Sequence, residues 1–229
     1  MPLTAAEILR EMRANPLTFF RHYWLTIAGG QVGVPSDVAT FSFLDQAANT
    51  HGFTTGISGL LGRTKDRPAI RFTKQQGVAL PNPDINNGFF NAYYVAMMQD
   101  ENDLINAHYA LPRNGPTSDA NPDIMLTSQL SGCTFGIGTQ AEGAQLVTHI
   151  QPNPGLGAVR EHLGVTVRNQ LADGIDSVFE REAQNEDTGY GNQGNRATII
   201  GIRIDNRWNF YVQCYAGGGM GPLLEARKL

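Results

Sequence analysis

The chain has 229 residues, 41 % of them hydrophobic and 17 % charged, with a formal net charge of −4. That is ample apolar material for a folded core. It makes no charge-based case for nucleic-acid binding. No window approaches the roughly 18 apolar residues of a membrane span, and Met1 to Ile8 has neither the basic start nor the apolar run of a signal peptide.

Thr4, with Glu7 three residues on, reads as a capping box. Ile8, Leu9 and Met12 follow at helical spacing, so a first helix is expected over about Ala5 to Ala14. The aromatic and apolar run Leu17 to Ile27 reads as a second helix, stopped by Gly29-Gly30. Asp37 to Asn49 fits either a short helix or two strands. Thr50 to Gly62 is rich in glycine and threonine, and Lys65 to Pro68 reads as a charged turn before an alternating strand, Ala69 to Thr73. Pro81 to Gly88 is a loop by local composition. Phe89 to Met98 reads as a long strand, Asp100 to Asp103 as the turn after it, and Leu104 to Leu111 as its hairpin partner.

Residues 112–123, rich in proline and glycine, form a loop leading into a short strand, Ile124 to Thr127. Gln145 to Ile150 alternates as a strand. Leu156, Val159, Leu163, Val167 and Leu171 make a helical stripe. Residues 184–195 carry almost no apolar side chains and read as a mobile loop or long hairpin connection. Thr198 to Ile204, Asp205 to Arg207 and Trp208 to Tyr215 make a hairpin. The 26 glycines and 12 prolines are spread along the chain, which fits many turns between short strands. The expected fold class is α+β, a central β-sandwich of mixed sheets with flanking helices. Residues 1–229 read as one catalytic domain, helical to about residue 30 and β-rich thereafter.

Two cysteines far apart in sequence do not make a disulfide framework. The five histidines are scattered, so no metal site and no cofactor is expected. Cys133 stands on a turn between Gly132 and Gly136, where glycine allows close backbone approach. His149 follows sixteen residues later on the next alternating run. A thiol reached by an imidazole is the minimum equipment for thiolate catalysis. A buried cysteine acting as a small hydrophobe, with a hydrogen-bonded core histidine, is the other reading of the same residues. His108 and His51 are rival bases. Cys214, among aromatics on the closing hairpin, reads as a structural thiol.

Leu130-Ser131-Gly132-Cys133 resembles the Leu-Ser-x-Cys motif of the cytotoxic-necrotizing-factor-like glutamine deamidases. The firm match covers about residues 124–150, and its pattern most resembles the small stand-alone, lethal-factor-like members. The resemblance implies a bacterial toxin or effector that hydrolyses the side-chain amide of a glutamine in a host protein. It implies Cys133 as nucleophile, His149 as base and acid, and the main-chain carbonyl of Thr127 as the group that orients the imidazole. Ser131 and Gly132 would support the site, with the N–H of Cys133 or of an adjacent glycine as oxyanion donor. Family substrates would be the translation-initiation helicase 4A or a Rho-type GTPase, met by a monomeric enzyme secreted or delivered into the host cytosol. Another thiol acyl-transfer enzyme, either a cysteine protease or a transglutaminase, and a non-enzymatic β-rich binding module are the alternatives.

Overall fold

The computed structural model describes residues 4–29, 37–53, 65–97, 108–139, 143–150, 175–180, 189–190, 195–216 and 223–229, with backbone alone over 44–53, 65–67 and at 223. The expected helix near 156–171 and the turn at 100–103 lie outside these residues, as does most of the 184–195 connection.

Helix α1 is Ala5–Ala14. Its capping box is complete: Thr4 Oγ1 accepts from the Glu7 amide, and the Glu7 carboxylate accepts from the Thr4 amide. Ile8, Leu9 and Met12 are buried on one face, each worth roughly 1.5–3 kcal/mol. Arg13 at its last turn forms a bidentate pair with Asp123, both bonds at 2.8 Å. Helix α2 is only Pro16–His22. The second expected helix therefore ends early. Tyr23 is extended, with φ −108° and ψ 139°, and Trp24–Ala28 is strand β1. Trp24, Thr26 and Ile27 are aromatic or β-branched and suit a strand. The side chain of Gln213 holds this switch. Its Nε2 donates to the carbonyls of Phe20 and Tyr23 at 2.7 and 2.6 Å, and its Oε1 accepts from the Leu25 amide at 3.0 Å.

The remaining strands of the larger sheet are β2 (Asp37–Phe53), β3 (Lys65–Lys74), β4 (Phe89–Val95), β6 (Ile124–Thr127), β10 (Arg196–Ile204), β11 (Arg207–Tyr215) and β12 (Leu223–Lys228). Their order is β1-β3-β2-β12-β11-β10-β6-β4, and β2 also pairs with β4. Asp37 to Asn49 is thus one continuous strand, irregular between Gln46 and Thr50. Lys65 to Pro68 belongs to β3 and is not a turn. The β10–β11 hairpin forms as expected, with Asp205 and Asn206 both at positive φ. That is the backbone of a two-residue hairpin turn whose twist matches the strands.

The second sheet has order β5-β8-β7-β9, from β5 (His108–Leu111), β8 (Gln145–Ile150), β7 (Thr134–Thr139) and β9 (Ser177–Phe179). β5 pairs with β8, not with β4, so the expected hairpin between neighbours in sequence is replaced by a pairing within the second sheet with a strand more distant in sequence.

The described residues are mostly β-sheet with two short α-helices, a β-rich α+β arrangement. The larger sheet is mixed and curled, since β4, the last strand in its order, returns to pair with β2. One face of it, with α1 and α2, encloses a core of Phe20, Trp24, Phe41, Phe72, Tyr94 and Tyr215 among others. Its other face, from β4, β6, β10 and β11, packs on the second sheet through Val95, Met125, Phe135, Val147, Phe179 and Phe210. Among the described residues no helix is long and apolar enough to cross a membrane.

Candidate active site

β4 and β6 run parallel, and their last residues, Val95 and Thr127, are register partners. The second sheet lies over this end. Val147 on β8 belongs to the inter-sheet core. Side chains alternate along a strand, so His149, two residues on, faces the same core and is fully buried. Thr127 Oγ1 donates to the Val95 carbonyl at 2.7 Å. A hydroxyl has one proton, so the same oxygen accepts from His149 Nδ1–H at 2.7 Å. This fixes the tautomer: the proton is on Nδ1 and the lone pair on Nε2. Nε2 is buried with no hydrogen-bond partner among the described residues. Burial pushes the imidazole down to about 3, so it rests neutral.

Thr127 meets His149, but through its side-chain hydroxyl and not through the main-chain carbonyl that the resemblance implies. Thr127→Val is expected to cost about 1–3 kcal/mol, because Nδ1–H is left buried and unpaired. Thr127→Ser should keep most of the stability. Urea titration of both variants checks this, and a silent Thr127→Val would return the role to the main chain.

Cys133 precedes β7 and is 1 % exposed. His149 pairs with Phe135, the residue two beyond Cys133. Thiol and imidazole thus adjoin the same core, which contains Cys133, Phe135 and Val147. They do not hydrogen-bond to each other, because Nε2 is unpartnered. Cys133 Sγ lies instead 3.6 Å from Met97 Sδ, two residues past the end of β4.

The turn before Cys133 is tied down on several sides. Leu130 and Ala197 exchange both backbone hydrogen bonds, at 2.8 and 3.0 Å. Arg196 donates to Gln129 Oε1 at 3.0 Å. Gly132 has φ +112°, a backbone conformation that favours glycine. At Gly136 a Cβ would come within 2.7 Å of Thr148 Cγ2, so β7 and β8 approach closely there. Tyr190 was not singled out by sequence. Its hydroxyl accepts from the Gly132 amide at 2.8 Å and donates to the Cys133 carbonyl at 3.0 Å. The Gly132 N–H is therefore engaged, which removes it as an oxyanion donor in this arrangement. The only sequence signal for Tyr190 was one aromatic among polar residues.

Ser131 is exposed while Cys133 is buried. The left-handed Gly132 between them breaks the alternation that would have aimed both side chains into one pocket. His108 is exposed on β5, opposite Thr148, and does not share the core with the thiol. His51 lies on β2 by its backbone, and its side chain falls outside the described atoms. No group of three or more potential metal-binding side chains occurs among the described residues. A cleft of about 650 Å³ lies elsewhere, bordered by Asp37, Lys74, Val78, Leu80 and Asn91.

Cys214 is also buried, and burial, then the Glu225 carboxylate, push its thiol up to about 12 against the pull of Arg227. Iodoacetamide should therefore modify Cys133 before Cys214 once the site opens, since thiolate character and access govern the rate. Peptide masses followed over time and pH give the order, and a faster Cys214 would remove the special status of Cys133.

No family model matches the chain, and no curated protein matches it in sequence. Among solved structures, the C-terminal domain of CNFy from Yersinia pseudotuberculosis is similar in outline, with a TM-score of 0.43, 10 % sequence identity and 99 % of each chain covered. A likeness at that level puts no residue in correspondence.

Proposed function

We propose that this chain is a protein-glutamine deamidase working through Cys133 and His149. The observation that carries the reading is the imidazole. The Val95–Thr127–His149 relay holds its proton on Nδ1 and leaves an Nε2 lone pair, unpartnered among the described residues, inside the core that also contains the thiol. A base held in one tautomer by an outer hydrogen bond is the arrangement that serves nucleophilic hydrolases. The motif resemblance at Leu130 to Cys133 supplies the substrate class.

In this reading Nε2 takes the thiol proton as sulfur attacks the carboxamide carbon. The tetrahedral intermediate collapses with cleavage of the C–N bond, and the imidazolium gives its proton to the departing ammonia. Water, activated by Nε2, then attacks the thioester. The C–S bond breaks, the glutamate product leaves and the thiol is restored. Because Sγ and Nε2 are not bonded in the resting state, the Cys133 side chain must turn from Met97 toward the imidazole. The finer reading is a toxin or effector acting in a host cytosol as a single catalytic domain. A lethal-factor-like helicase 4A substrate or a Rho-type GTPase comes from the resemblance alone.

The test is peptide mass spectrometry of a eukaryotic lysate incubated with the protein. Glutamine sites gaining about one dalton, the change from amide to acid, support deamidation. Chain cleavage or amine incorporation would instead mark a protease or transglutaminase. The complete burial of Cys133 and His149 favours one other reading, a non-enzymatic β-rich binding module with both groups as core residues. A lysate without modified sites, together with an unreactive Cys133, would establish that reading.

A further inference from the structure

We infer that Tyr190 is a positioning residue for the nucleophile turn, its phenol hydroxyl latching Gly132 and Cys133 and so setting the direction in which the thiol leaves the backbone. The functional consequence rests on the reading of Cys133 as nucleophile, while the latch itself stands on geometry. One oxygen accepts the Gly132 N–H at 2.8 Å and donates to the Cys133 carbonyl at 3.0 Å. The two bonds clasp the backbone on either side of the Gly132–Cys133 peptide. Gly132 sits at φ +112°, and glycine has many other conformations open to it. The turn therefore needs a partner from outside to hold one of them.

The ring is itself fixed. Tyr190 is 2 % exposed and packs on Phe179 with centroids 5.5 Å apart. Its amide donates to the Glu180 carbonyl at 3.1 Å, and its carbonyl accepts from Asn195 Nδ2 at 3.2 Å. Arg227 Nη2 donates to the neighbouring Gly189 carbonyl at 3.1 Å. A phenol both donates and accepts, whereas phenylalanine keeps the ring packing and loses both bonds.

Tyr190→Phe in the full chain is the experiment, with three readouts: iodoacetamide labelling of Cys133 against Cys214, melting temperature, and kcat and KM for deamidation. Loss of the two bonds of the latch should raise Cys133 labelling at least about fivefold with Cys214 unchanged, since the usual net worth of even one hydrogen bond corresponds to about that factor. It should lower kcat roughly tenfold with KM little altered. A folded variant with Cys133 labelling within about twofold of wild type overturns the inference. If wild type deamidates nothing yet the variant still changes Cys133 labelling, the latch stands and the deamidase reading falls. Should the variant fail to fold, wild-type amide exchange decides. Gly132 N–H protected about a hundredfold over Ser131 N–H upholds the latch, and equal exchange overturns it.

Discussion

Cys133→Ser and His149→Gln each reduce glutamine deamidation by roughly a thousandfold or more, and the double variant loses little beyond either one. Non-additivity is the informative part, because nucleophile and base act on the same proton. Glutamine is chosen at 149 for a physical reason. His149 is fully buried, and alanine would leave a void costing a few kcal/mol. The amide can still bond to Thr127 Oγ1 while offering no base. Melting temperature and turnover are measured on the same preparations. A His149→Gln protein that keeps wild-type turnover would eliminate the histidine from the mechanism, and His108 or His51 would then be examined by the same substitution.

The second large effect is on stability as a function of pH. Burial depresses the His149 imidazole from 6.5 to about 3. Below pH 6.5 the unfolded chain takes up a proton at this residue that the folded protein refuses. The contribution of the neutral histidine is thus fully present above the unfolded value and is lost as pH falls toward the folded one. The slope approaches about 1.4 kcal/mol per pH unit, so roughly 2–3 kcal/mol disappears by about pH 4.5. Urea denaturation across this range should show the loss in wild type and a much shallower profile in His149→Gln. Parallel profiles would mean that the acid sensitivity does not come from His149.

Local signals were legible where the chemistry is local. The capping box at Thr4 and Glu7 and the turn at Asp205 and Asn206 depend on residues a few positions apart, and both form as expected. The short strands around Cys133 and His149 were also legible, since alternation and glycine placement do not need distant partners. Leu17 to Ile27 reads as one helix because a mainly apolar run looks alike in a helix and a buried strand, whereas its second half, from Trp24, is strand β1. Only the distant Gln213 and the parallel partner β3 decide it. The partner of β5 is hidden for a related reason: adjacency in sequence suggests a hairpin with β4, while the register pairs His108–Leu111 with Gln145–Thr148 of β8. At the candidate site, Cys133 and His149 could be named from residue type and spacing. The hydroxyl role of Thr127, the cover of Met97 and the latch of Tyr190 could not. Each is a contact between residues 20 or more positions apart, so no short window contains it.

Gln213 has a bearing on the order of assembly. Its amide bridges the end of α2 and the start of β1 from a position about 190 residues later. Loop closure over such a span is slow, and contacts of this kind delay folding until both ends are available. During synthesis the first two helices would have emerged long before the strand that fastens them. Until residue 213 leaves the ribosome, the apolar face of α1 and the aromatic side chains of α2 have no finished wall to dock against. An exposed apolar segment of that sort is a natural client for a holding chaperone. Helices α1 and α2 are therefore among the last elements to be secured.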